Sequence, residues 1–221
     1  TGVNTHPEFS RRTCEHVSSA LPITIRETEN HFQAQAALDG VVEASGTLKA
    51  IAVSLHKIAN DIRFLSCGPR AGFGEISLPE VQPGSSIMPG KINPVICESV
   101  IQVSAQVVGN DASLTLAGQG GYFELNTMMP VAAYNLLQSI ALLSSSAENL
   151  ATQCIDGIVA TNTGPEMVER GLMLGTALAP AIGYDAAAVI AKEAAYTGRT
   201  IREVAKEKTD LTEETLIELL V

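Results

Sequence analysis

The chain has 221 residues, is 46% apolar and carries a formal net charge of −10 at pH 7. That length allows one large domain or two small ones, and the acidity argues against nucleic acid as a partner. Aromatics make up 4% and Trp is absent, so Ala, Leu, Val and Ile must do the packing, which suits close helix–helix contact. The charge is uneven: residues 1–110 balance to −2 and residues 111–221 to −8. The nearly neutral first half accommodates an anionic ligand more easily. Cys14, Cys67, Cys97 and Cys154 are scattered without CxxC or Cys/His metal spacing, so they read as reduced thiols in a cytosol-like compartment. No apolar run approaches the ~20 residues that would span a bilayer, and no signal-peptide pattern is present. The first residue is Thr1, which fits processing, trimming or membership of a longer protein.

Residues 29–66 carry the strongest periodic signal. Ala34, Ala37, Leu38, Val41, Val42, Leu48, Ile51, Ala52, Leu55, Ile58, Ala59, Ile62 and Leu65 recur at three- and four-residue steps, as on one face of a helix. The breakers in "CGPRAGFGE" end it. Residues 68–93 read as a long loop, a length that is uncommon inside compact domains and often functional. A second helix is predicted from about 94 to 118, with Pro94 as its first residue and Asn93 as its N-cap. "GQGG" at 118–121 breaks it, and a third helix fits roughly 127–154 with Pro130 in its first turn. Short helices should follow: one from Pro165 with Thr163 or Gly164 near its cap, one capped by Asp185, and two capped by Thr200 and Thr212. Strand signals are few. The reading is all-α: a long-helix bundle over 1–154, with the loop 68–93, then a small C-terminal helical domain over 155–221.

The stretch "GSSIMPGKINP", residues 84–94, is too rich in Gly and Pro for a helix or a central strand. Gly84 permits unusual backbone angles, and inward-pointing N–H groups of such a loop can stabilise an alkoxide. A serine hydroxyl, Ser85 or Ser86, is a very weak base unless something lowers its pKa and stabilises the carbanion it creates. Lys91 and Asn93 could supply the second condition by clamping a carboxylate next to the carbon that loses its proton. Such a clamp binds the transition state more tightly than the ground state. The helix after Pro94 adds positive dipole character, and Glu98 in its first turn could orient an imidazole. Taken singly, each of these residues also fits a plainer part: a turn serine, a surface lysine, a capping asparagine, a first-turn acid.

"GSSIMPGKINP" resembles the GSSxMPxKxNP signature of the fumarase/aspartase superfamily. "TGVNTHPEF", "KIANDIRFLSCGPRAGFGEISLPE", "QVVGNDASLT", "FELNTMMPV", "CIDGIVAT" and "AIGYDAAAVIAKEA" are similar to segments of class II fumarases, so the likeness covers nearly the whole chain. The resemblance implies a mainly helical protomer whose long helices associate in a homotetramer. It implies reversible addition of water to fumarate giving (S)-malate, without metal or organic cofactor, in the cytoplasm or the mitochondrial matrix. By it, Ser85 is the base that takes the Cβ proton, Ser86, Lys91 and Asn93 bind the substrate carboxylate, and Glu98 pairs with a histidine. The loop would be a mobile lid with Gly hinges. Gly90 in "MPGK", where aspartases usually have Ala, leans toward fumarase.

The chain also departs from that pattern. It is about half the family's length and lacks the segments that would bring the catalytic histidine and a further substrate-binding stretch. Thr5-His6 is not that motif, and His16, His31 and His56 read as helix-face residues. The family's sites are composite between subunits, so the isolated chain is expected to be inactive. The alternatives are an aspartate ammonia-lyase, or a helical oligomerisation module without catalysis.

Overall fold

The computed structural model describes residues 3–220. Ten α-helices and four two-residue strands occur among them, so the chain is all-α. In order, α1 is Phe9–Ala20, α2 His31–Ala36, α3 Asp39–Leu65, β1 Ile76–Ser77, α4 Val95–Gln119, β2 Gly121–Tyr122, β3 Leu125–Asn126 and α5 Met129–Gln153. Then come β4 Val159–Ala160, α6 Thr163–Arg170, α7 Gly175–Ile182, α8 Tyr184–Thr197, α9 Ile201–Lys208 and α10 Glu213–Leu219. The chain divides into two compact units, 1–60 with 95–154, and 61–94 with 155–221.

The first unit is built on a seam between α4 and α5. Cys97, Val100, Ser104, Val107, Asp111 and Leu114 are buried on α4, and Ala132, Asn135, Ser139, Leu143, Ser146 and Leu150 on α5. These near-3.5-residue steps keep one stripe of each helix facing its neighbour. Small seam residues, Ser104 on α4 and Ala132, Ser139 and Ser146 on α5, leave room for close contact between the two helices. Ala52 of α3 packs with Val107 and Leu143 in one apolar cluster. Leu38 packs with Leu114, Ala117 and Ala132 in another.

The seam also holds polar groups, most of them hydrogen-bonded; the buried Ser146 hydroxyl has no partner among the described residues. Asn110 Nδ2 donates to Gln138 Oε1 at 2.9 Å and to Ser139 Oγ at 3.1 Å. Asp111 accepts from Ser45 Oγ at 2.8 Å and from Lys49 Nζ at 2.6 Å, tying α4 to α3. Burial pushes the Asp111 carboxyl up, but the hydrogen bonds from Lys49 and Ser45 outweigh it and hold its pKa below the usual carboxylate value. A folded-state pKa lowered in this way adds stability above the unfolded-state pKa, and that stability is lost as pH falls through the folded value. Urea midpoints taken at stepped pH should therefore fall steeply below about pH 4. Asp111→Asn should flatten that fall; an identical acid limb in the variant would remove Asp111 as its source.

The predicted helix over 29–66 is split. α2 ends at Ala36 and Ala37 is extended, with φ −93° and ψ 140°. The cause is tertiary: Asn126 Nδ2 donates to Ala36 O at 3.3 Å and to Ala117 O at 3.1 Å, capping α2 and α4 with one amide. The Asn126 Oδ1 accepts from Met128 N–H at 2.8 Å, fixing the entry to α5. The remaining long helices fall close to expectation, although α4 begins at Val95 with Pro94 just before it. α1 was not anticipated. It buries no residue and is laced by Arg11–Glu15, Arg11–Glu8 and Arg12–Glu8 pairs at helical spacing, a charge pattern rather than an apolar one.

In the second unit, β1 pairs antiparallel with β4, Ile76 opposite Ala160. Thr161 Oγ1 donates to Gly74 O at 2.6 Å beside that pairing. These bonds group residues 61–94, the loop included, with 155–221, where the sequence reading drew its division near 155 alone. α7, α8, α9 and α10 enclose Leu178, Ile190, Ile201, Val204 and Leu216. Thr200 caps α9 in a reciprocal capping box with Glu203, and Thr212 caps α10 by accepting from Thr215 N–H, both as predicted. Two caps differ. Gly183, with φ +84°, precedes α8, and Asp185 sits in the first turn instead. Asn162, not Thr163 or Gly164, precedes α6. Arg202 grips Glu169 by two bonds of 2.9 and 3.2 Å and donates to Leu216 O and Leu220 O, so one guanidinium joins α6, α9 and α10. Among the described residues no helix is long and apolar enough to cross a membrane.

Candidate functional site

Residues 84–93 form a loop without regular structure, as the Gly and Pro content requires. Its backbone curls back on itself. Ser85 N–H donates to Lys91 O at 3.2 Å, and Lys91 N–H donates to Met88 O at 3.1 Å. Gly90 has φ +79°, a left-handed conformation that favours glycine.

The curl surrounds the Ser85 hydroxyl with donors. Its Oγ accepts from Ile87 N–H at 3.2 Å and from Met88 N–H at 3.3 Å. Two N–H dipoles aimed at one oxygen favour its anionic form. The sequence alone pointed to such donors without saying which amides they are; the backbone path between Ser85 and Lys91 selects Ile87 and Met88. Ser85 is half-buried, while Ser86 and Lys91 are exposed and Asn93 is half-buried. The side chains of Ser86, Lys91 and Asn93 hydrogen-bond to no protein group among the described residues, so their donors are open to a ligand. Asn93 therefore does not serve as a side-chain cap.

The structure thus gathers Ser85, Ser86, Lys91 and Asn93 into one short loop of the second unit. Glu98 belongs to the first unit, half-buried in the first turn of α4. Its carboxylate has no hydrogen-bond or ion-pair partner among the described residues. None of the four histidines belongs to the loop. His6 accepts from Glu8 N–H at 3.2 Å, and His31 sits 3.0 Å from Glu27. His16 and His56 lie exposed on α1 and α3. Among the described residues no group of three or more His, Cys, Asp or Glu is placed to hold a metal ion.

Residues 1–109 match the family described as Lyase, and residues 174–221 match the one described as Fumarase C C-terminus. A class II fumarate hydratase of Rickettsia bellii is 49% identical over 222 residues, covering 100% of this chain and 48% of that protein. The structure of a fumarate lyase:delta crystallin from Brucella melitensis superposes with a TM-score of 0.92 at 45% identity, covering 99% of this chain and 47% of that one. A class II fumarase of Schistosoma mansoni gives 0.87 at 33% identity, covering 100% and 50%. The fold is that of the helical lyases. Within them the chain belongs to the class II fumarase family and matches its C-terminal portion. It spans about half the length of the curated relatives it matches.

Proposed function

We propose that this chain is the C-terminal portion of a fumarate hydratase and supplies the base and the carboxylate clamp of its active site. The observation that carries the reading is the Ser85 oxygen held by two main-chain N–H groups, six residues before an exposed lysine whose side chain has no protein partner among the described residues.

In the malate-to-fumarate direction, ionised Ser85 Oγ removes the proton from the carbon beside one substrate carboxylate. The electron pair left behind spreads onto that carboxylate. Lys91, Asn93 and Ser86 donate to its oxygens and gain strength as charge accumulates there. The electron pair then forms the carbon–carbon double bond as the C–O bond breaks. Hydroxide leaves and takes a proton to become water. That proton comes from an acid outside this chain, and Glu98 would orient an imidazole brought by another segment. Hydration runs the same steps in reverse.

The outward faces of α4 and α5 carry exposed Leu116, Tyr134, Leu137 and Ile140, with relative exposures of 63, 64, 65 and 46%. Apolar area of that kind supports assembly with further copies, a homotetramer in the complete enzyme. Fumarate hydration, followed as loss of the conjugated diacid's ultraviolet absorbance, tests the reading. The chain alone should be inactive and should gain activity when the family's N-terminal portion is added. Turnover by the chain alone would show that a proton donor lies within these residues and would overturn the division of labour.

Lys91→Ala in the complete enzyme should raise KM for fumarate and lower kcat together, because its charge acts on the bound substrate and more strongly on the transition state. A variant altered only in melting temperature would remove Lys91 from the clamp.

A further inference from the structure

The loop's main-chain closure is tightest at Gly84. A Cβ built on Gly84 would sit 2.2 Å from Lys91 O and 3.1 Å from the Lys91 carbonyl carbon. Both are backbone atoms, so they cannot swing aside as a side chain would. Gly90 makes a different demand: a Cβ there meets nothing within 4 Å, and only its φ of +79° resists substitution. One glycine is required by close approach and the other by backbone angle.

We propose that Gly84 is a positioning residue that couples the base to the clamp. Because it has no side chain, the Lys91 carbonyl can close onto Ser85 N–H, and the two functional residues are held as one unit. The same closure sets the chain direction through Ile87 and Met88, whose N–H groups point at Ser85 Oγ. A side chain at position 84 forces the Lys91 carbonyl outward, opens the Ser85–Lys91 bond and shifts both ends of the site together. The inference rests on the roles proposed above for Ser85 and Lys91.

The test is steady-state fumarate hydration by the complete enzyme carrying Gly84→Ala, Gly90→Ala, Lys91→Ala, Ser85→Ala and the Gly84→Ala/Lys91→Ala pair, with melting temperatures alongside. Gly84→Ala should lower kcat about a hundredfold, the scale of a misplaced reacting group, and raise KM, with an unchanged melting temperature. Adding Gly84→Ala to Lys91→Ala should leave KM where Lys91→Ala alone puts it, because the clamp it would displace is gone. Gly90→Ala should cost about tenfold or less, since only backbone strain is introduced. Full turnover by Gly84→Ala overturns the proposal, as does an equal rise in KM with and without Lys91. A loss of activity matched by a fall in melting temperature, or a larger loss in Gly90→Ala, also overturns it. Normal turnover by Ser85→Ala would defeat the base assignment itself. An inactive Ser85→Ala beside a normal Gly84→Ala defeats only the positioning role.

Discussion

Ser85→Ala in the complete enzyme is expected to lower kcat for fumarate hydration by about 10²–10⁴-fold, the range a positioned general base contributes. The substitution removes one oxygen and leaves the loop's main-chain bonds in place, because Ser85 N–H still reaches Lys91 O. The Ile87 and Met88 N–H groups that lose their acceptor lie in an exposed loop, where water can take its place. Folding, assembly and KM should therefore change little while turnover collapses. The informative measurement is kcat with the melting temperature and sedimentation of the same sample. Normal kcat would remove Ser85 as base. A collapse accompanied by dissociation or a lowered melting temperature would instead show that the serine is structural.

Leu178→Ala should cost about 2–5 kcal/mol of stability, the range for emptying a fully buried leucine site. Leu178 has 0% relative exposure and packs among α8, α9 and α10 residues including Ile190, Ile201 and Leu216. α7 sits close to its neighbours, since a Cβ on Gly175 would lie 3.4 Å from Ala191 Cβ and 3.6 Å from Ile201 Cδ1. Helices of this length do not persist alone in water, so their folding depends on the shared core. Domains of ordinary size hold only about 5–15 kcal/mol in all, so the loss should be visible as a displaced urea transition. A midpoint equal to that of the unsubstituted chain would mean that the leucine is not the centre of this packing.

Sequence periodicity located the long elements because the same physics operates in both: a buried stripe needs apolar or small residues every three to four positions. That is why α4 and α5 fall within a few residues of their expected bounds, and why Thr200 and Thr212, whose caps are local hydrogen bonds, were readable. α1 escaped because charge pairs hold its surface rather than an apolar stripe. α7 escaped because Pro180 stands inside it, where a sequence reading expects a break. The interruption at Ala37 depends on Asn126, ninety residues from Ala36 in sequence, and no local pattern announces such a cap.

The candidate site shows the same boundary. By itself the sequence determined the residue types and their spacing: two serines, a lysine and an asparagine in a Gly/Pro loop, with a glutamate at the start of the next helix. Type and spacing fix chemical capacity, because a hydroxyl, an ammonium and an amide carry their properties wherever they lie. Only the tertiary structure decided that Ile87 and Met88 supply the N–H groups at Ser85 Oγ, that Lys91 O closes onto Ser85 N–H, and that the loop groups with residues 155–221 through the β1–β4 pairing. Those outcomes depend on φ and ψ along the loop and on a strand some eighty residues away, which residue identities constrain but do not specify.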